Sequence, residues 1–207
     1  MSSDLVVALT GASGMPYGVR LVEVLLRAGR TVHLVISPAG QEVFEHEIGR
    51  TLKLAEDDLD PRALLGPAVK GVDLALLHYH HFRNFRAGIA SGSFLTGGMA
   101  ICPCSMGTLA AIAHGTSENL VHRAADVHLK ERRKLVLVPR ETPLGVVQLR
   151  NMVAVAEAGA VVLPAMPAFY TRPRSVADMV DFVVARVCDQ LGVPHNLMAR
   201  WGDTDRG

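Results

Sequence analysis

LVVALTGASGMPYGVRLVEVLLRAG, residues 5–29, decides the fold. Its first part, Leu5 to Thr10, is short, apolar and β-branched, with none of the polar alternation of a half-exposed strand. A continuous apolar run of this length is what a strand covered on both faces requires. GASGMPYG, from Gly11 to Gly18, then turns the chain, and VRLVEVLLRAG carries helical spacing up to Gly29, where a glycine suits a helix C-terminus. Strand, glycine-rich turn and helix form the opening unit of an α/β domain.

The same kind of run recurs at Thr31–Ser37, Met99–Pro103, Lys134–Pro139 and Ala160–Pro164. Between these runs lie helically spaced stretches: TLAAIAHG, RAADVHLKER, LRNMVAVAEAG and SVADMVDFVVARVCDQLG, the last with Ser175 and Asp178 set as a capping pair. Alternating strands and helices predict a three-layer, doubly wound parallel sheet with right-handed crossovers. Ligands of such sheets sit beyond the carboxyl ends of the strands, so the strand-to-helix turns are where chemistry is expected. Residues 51–98 are less regular and read as an excursion, residues 192–207 as a tail, and the whole as one domain.

Composition narrows the function. The 207 residues are 49% hydrophobic, enough for one large core, and 21 basic against 20 acidic residues leave a net charge of +1. No global field is available to hold nucleic acid or an anionic membrane, so any anion site must be local. Cys102, Cys104 and Cys188 are too few to pair completely and read as core cysteines of a cytoplasmic protein. The start of the chain lacks a basic signal-peptide region, and no run of about 18 apolar residues is uninterrupted, so a soluble protein is expected.

Two turns offer backbone N–H groups at a helix start. GASGMPYG does so after the first strand, but Ser13 stands where a dinucleotide fingerprint has its second glycine, and the second strand ends in Ser37 with no acidic residue for a ribose. This disfavours a dinucleotide and leaves a mononucleotide phosphate or an ordinary tight turn. PCSMGTLAAIAHG is the second, with Ser105 and Thr108 placed to cap a helix or to offer hydroxyls. On RAADVHLKER, Arg123 and Lys130 share a helix face; they bind an anion together or simply pair with Asp126 and Glu131. Arg140 and Glu141 follow a strand directly, where an arginine suits phosphate. The crowded HYHH stretch, His78 to His81, has no partner carboxylate or cysteine nearby and makes a poor zinc site.

Three stretches carry a resemblance: GASGMPYG, then ICPCSMGTLAAIAHG with its downstream ENLVHRAADVHLKERRKLVLVPRETPL, and LPAMPAFYTRP. From Leu5 to about Trp201 the chain resembles the UbiX family of flavin prenyltransferases. The resemblance implies a Rossmann-like fold of the flavoprotein type, and attachment of a dimethylallyl unit from dimethylallyl phosphate to reduced FMN at N5 and C6. It puts FMN on Gly11, Ala12, Ser13, Ser37, Ser105, Met106, Gly107, Thr108 and Arg140. It puts the prenyl phosphate on Arg123, Lys130, Glu141, Tyr170 and Arg186, with Trp201 nearby and Glu47 at the reacting flavin edge. Ser13, Glu47, Glu141 or the departing phosphate would handle the proton lost on ring closure. No metal is implied. A homododecamer built from trimers is, with some site residues from neighbouring subunits, and so is delivery of prenylated FMN to a UbiD-type decarboxylase, as in ubiquinone biosynthesis. The competing readings are an FMN-dependent decarboxylase of the homo-oligomeric cysteine decarboxylase group, whose catalytic histidine would have to come from HYHH, and a non-catalytic flavin carrier. Pro38, Gly40 and HYHHFRNFRAG depart from the family pattern.

Overall fold

A computed structural model describes residues 4–55 and 58–200. The elements run β1 (Leu5–Leu9), α1 (Met15–Arg27), β2 (Val32–Ile36), α2 (Pro38–Ile48), α3 (Pro61–Leu65), β3 (Leu77–His80), β4 (Gly98–Cys104), α4 (Met106–Ala113), α5 (Leu120–Lys130), β5 (Leu135–Pro139), α6 (Val146–Glu157), β6 (Val161–Val162) and α7 (Val176–Leu191). Six parallel strands form one sheet in the order β3-β2-β1-β4-β5-β6. The chain starts in the middle, winds outward to β3, then returns to the other side of β1. The switch point, where a ligand crevice opens, therefore lies between the carboxyl ends of β1 and β4.

The apolar runs are continuous because each strand serves two cores. Leu5, Val7 and Leu9 of β1 point into a core with Leu21, Leu25 of α1 and Val183, Val187 of α7. Val6 and Ala8 point into the other, with Leu109 of α4 and Val121, Ala124 of α5. Neither face of the central strands touches water, which explains the absence of alternation. Ser175 and Asp178 form the expected capping box on α7, and Gly29, just past α1, adopts a left-handed φ of 68°. All three cysteines are free and buried, and burial pushes their thiols up.

The excursion holds a strand that the sequence reading left out. β3 pairs with β2, His33 opposite His78 and Val35 opposite His80. It lies at the sheet edge and only Tyr79 is buried, so it needs no apolar run. Its histidines find partners in the fold: His33 stacks on His78 and His80 at 5.3 and 5.2 Å and bridges His80 to Asp4. At the opposite edge β6 is shorter than expected, two residues, although N–H groups of Leu163 and Ala165 continue to donate to the carbonyls of Leu137 and Pro139. No helix among the described residues is long and apolar enough to cross a membrane.

Candidate functional site

The crevice at the switch point is built largely by backbone, because side chains are excluded from its floor. A Cβ on Gly11 would lie 2.5 Å from the Cβ of Ala39, and one on Gly40 would lie 2.6 Å from the carbonyl oxygen of Leu9. These two glycines let the start of α2 close on the end of β1. Gly40 is thereby explained as a packing requirement of this chain. Ser37 caps α2 by accepting from the Gly40 amide at 3.0 Å.

Thr10, buried at the end of β1, reaches across to the β4–α4 turn. Its hydroxyl donates to the Pro103 carbonyl at 2.9 Å and accepts from the Ser105 amide at 2.8 Å. Ser105 in turn caps α4, accepting from the Thr108 amide at 3.2 Å and donating to the Thr108 hydroxyl at 3.0 Å. The capping reading of Ser105 is therefore correct as far as it goes. The first-turn amides of Met106 and Gly107 still have no acceptor inside their helix. A Cβ on Gly107 would meet nothing within 4 Å, so the space in front of this turn is open.

The first turn behaves differently from its twin. The helix N-terminus of α1, a candidate phosphate site on sequence, is filled from within: the Glu47 carboxylate accepts from Gly14 N at 2.9 Å and Met15 N at 2.8 Å. Partial burial by itself would raise the Glu47 pKa. Hydrogen bonds from the Ser13 side chain and the two amides outweigh it, with Arg140 nearby, and the carboxyl lies below its ordinary value. Arg140 Nε donates to the Ser13 carbonyl at 3.4 Å. Ser13, Glu47 and Arg140 thus meet at one point, and the position left for an external anion is the start of α4. The sequence reading put Glu47 at the flavin edge but not on the α1 amides, because nothing in a short helix says which backbone groups its carboxylate will meet.

Removing the Glu47 carboxylate should cost what losing a helix cap costs, about 1–2 kcal/mol. Glu47→Ala is expected to lower the melting temperature by roughly 2–8 °C. Glu47→Gln keeps one acceptor oxygen and should lose less than half of that. Equal losses in a thermal melt would show that charge, and not the acceptor geometry, holds the turn.

The other residues do not join this point in one protomer. Arg123 donates to Asp126 at 2.8 Å and to the Ala90 carbonyl at 3.0 Å, and Lys130 pairs with Glu131 at 2.5 Å, so both make the local pairs foreseen as the plainer alternative. Lys130 closes α5 near the start of β5, at the sheet edge opposite the crevice. Glu141 is exposed and accepts from the Thr142 amide at 3.1 Å. Arg186 of α7 lines a cleft of about 290 Å³ together with Val161, Leu163, Pro164, Met166, Phe182 and Gln190. The Tyr170 ring stands edge-on to Phe182 at 5.8 Å. Trp201 lies outside the described residues. Among the described residues no cluster of His, Cys, Asp or Glu is set to hold a metal ion.

The crevice fits a mononucleotide. Two open amides, the Ser105–Thr108 hydroxyl pair and one arginine at a strand end suit a single phosphate, and no acidic residue awaits a second ribose. A family model described as Flavoprotein matches residues 2–188. The flavin prenyltransferase UbiX of Halalkalibacterium halodurans is 47% identical over 197 residues, covering 95% of this chain and 92% of its own. Among solved structures, the AnUbiX (PadA1) complex with FMN and dimethylallyl pyrophosphate superposes with a TM-score of 0.84 at 39% identity over 98% of both chains. A dodecameric FMN-dependent UbiX-like decarboxylase from Escherichia coli O157:H7 gives 0.82 at 44% identity over 96% of this chain and 98% of its own. With its crevice, sheet order and near full-length similarity all in agreement, the chain belongs to the UbiX family of flavin prenyltransferases.

Proposed function

We propose that the chain transfers a dimethylallyl group from dimethylallyl phosphate to reduced FMN. The observation that carries this reading is the cleft beside α7, where the side chains of Val161, Leu163, Pro164, Met166 and Phe182 share the lining with Arg186 and Gln190: a place that can take a five-carbon chain with an anionic end. Reduced FMN supplies the ring that accepts the prenyl group. The protein holds its phosphate on the α4 turn and Arg140. Gly11, Ala12, Ser13 and Ser37 line the same crevice.

As the allylic C–O bond breaks, charge gathers on the departing phosphate, and fixed guanidinium and ammonium groups stabilise it. Arg186, with Arg123 and Lys130, fills that role, and Glu141 and Tyr170 complete its surroundings. The apolar side chains of the cleft face the five-carbon chain. Glu47 is ionised at neutral pH and hydrogen-bonded to Ser13, so this pair is positioned to receive the proton lost on ring closure. The phosphate-binding residues are spread over α5 and α7 of one protomer, which supports a site completed by neighbouring copies. Exposed Val146, Val147 and Val153 on α6, with Met166, Phe169 and Val176, supply apolar surface for such an assembly, and the Escherichia coli relative is dodecameric. We place the enzyme in the cytoplasm, with its prenylated FMN passed to a UbiD-type decarboxylase and no metal in the reaction.

The test is anaerobic incubation with reduced FMN and dimethylallyl phosphate, then mass analysis of the flavin. A flavin heavier by one C5H8 unit is expected. Recovery of unmodified FMN alone, from enzyme shown to bind it, would overturn the reading in favour of a carrier; carbon dioxide release from a carboxylic acid substrate without flavin modification would favour a decarboxylase.

A further inference from the structure

Arg186 does not float at the rim of its cleft. Its Nη1 donates to Oδ2 of Asp189 at 2.9 Å, one helical turn on. An isolated surface pair of this kind orients little. This carboxylate, however, is held from its other oxygen as well: Oδ1 accepts from Nε2 of His195 at 3.1 Å and from Nη2 of Arg200 at 2.9 Å. The His195 side chain is 2% exposed and that of Asp189 16%, while Arg186 is at 47%. Partial burial tends to raise the Asp189 pKa, but the hydrogen bonds from Arg200 and His195 prevail and the group stays ionised. The result is a fixed anion with the half-exposed Arg186 guanidinium on one oxygen and the chain after α7 pinned to the other.

We propose that Asp189 is a positioning residue: it holds the Arg186 guanidinium at the cleft that Arg186 lines and, through His195 and Arg200, makes that placement depend on the docking of residues 195–200. This rests on the reading of the cleft as the prenyl phosphate site. The Asp189 carboxylate faces, from its own helix, Arg186, and from the following segment, His195 and Arg200. Two of the guanidinium nitrogens of Arg186 remain for a ligand, since Asp189 engages Nη1. A guanidinium already pointed at the phosphate position loses less rotamer freedom when the substrate arrives, and the gain appears as substrate affinity.

The experiment compares wild type, Asp189→Asn, Arg186→Ala and the double variant, reading the KM for dimethylallyl phosphate, kcat, and the Kd for FMN. Asparagine keeps the shape but turns an N–H toward one of the cations and removes the charge. Asp189→Asn is expected to raise the KM roughly tenfold, the equivalent of one charge-assisted hydrogen bond, with FMN affinity unchanged. In the Arg186→Ala background the same change should add less than about twofold, because the two residues act as one unit. Asp189→Glu, which restores the charge, should recover most of the KM. Additive losses in the double variant, or parallel losses of FMN affinity, would reduce Asp189 to a structural ion pair and overturn the proposal. An unchanged KM in Arg186→Ala would overturn it differently, by removing Arg186 from the substrate site while leaving prenyl transfer itself standing.

Discussion

Gly18→Val should leave little folded protein, and Gly18→Ala should fold with a melting temperature lowered by roughly 4–8 °C. Gly18 lies where α1 crosses β4, and a Cβ there would stand 2.3 Å from the carbonyl oxygen of Cys102 and 2.5 Å from Cδ2 of Leu9. Neither atom can yield. Cys102 belongs to a central strand buried along its whole length, at the shift in its register with β5, and Leu9 is fully buried between layers. Overpacking against two such atoms costs about 3 kcal/mol, and the better helix propensity of alanine returns about 1 kcal/mol at most. The net loss is about 2 kcal/mol for alanine. Valine adds two methyl groups to the same collision and forgoes most of the propensity gain. Either residue pushes α1 outward, and with it the Gly14 and Met15 amides that hold Glu47. FMN affinity is therefore expected to fall in the alanine variant by more than its stability loss explains. An alanine variant as stable as wild type would show that α1 and β4 have slack between them.

Acid should weaken the fold well before its carboxylates protonate. His128 is buried, with Nδ1 at 2.7 Å from the Ala124 carbonyl and Nε2 at 2.9 Å from the Thr96 hydroxyl. Burial, reinforced by Arg133, pushes its pKa down to about 4. His33 is moved in the same direction, again by burial first. In the unfolded chain each histidine takes up a proton near pH 6.5, while the folded chain does not, so the unfolded state binds more protons and stability falls as pH falls. The contribution is intact above pH 6.5 and is lost on the way down to the folded value. Between pH 6.5 and 5, His128 alone removes about 2 kcal/mol, and His33 adds to it. The depressed carboxyls of Glu47 and Asp189 act only below this window, near and beneath the ordinary carboxylate range. Urea denaturation at closely spaced pH values should show the decline, and His128→Gln should flatten it. A wild-type curve that is level from pH 7 to 5 would mean that these rings are already exposed to protons in the folded state.

The parts of the molecule legible in the sequence are those where one rule acts alone. Strands buried on both faces have to be apolar throughout, so β1, β2, β4 and β5 announce themselves, and the sheet between helices follows from their order. α7 announces its start with Ser175 and Asp178. β3 was not legible because an edge strand needs only one buried side chain, and its histidines look like a loop or a metal site until His33 is seen stacked between them. The two glycine-rich turns were recognisable as helix starts, but which one remained open depended on Glu47, a residue more than thirty positions away in the chain and identical in kind to Glu45. The pair Arg123–Asp126 followed from helical spacing alone, and Lys130–Glu131 from adjacency at the helix end. The Asp189 hub did not, since it joins α7 to a segment without regular structure.

The Thr10 hydroxyl gives the crevice a property that neither turn has by itself. One atom accepts from the turn after β4 and donates to the strand that precedes it, while its own backbone begins the turn after β1. The two lips of the crevice are therefore riveted and behave as a single stiff jaw. A ligand seated on one lip cannot pull it without moving the other, so whatever compliance the enzyme has on binding must come from the parts not riveted: the α7 cleft and residues 195–200.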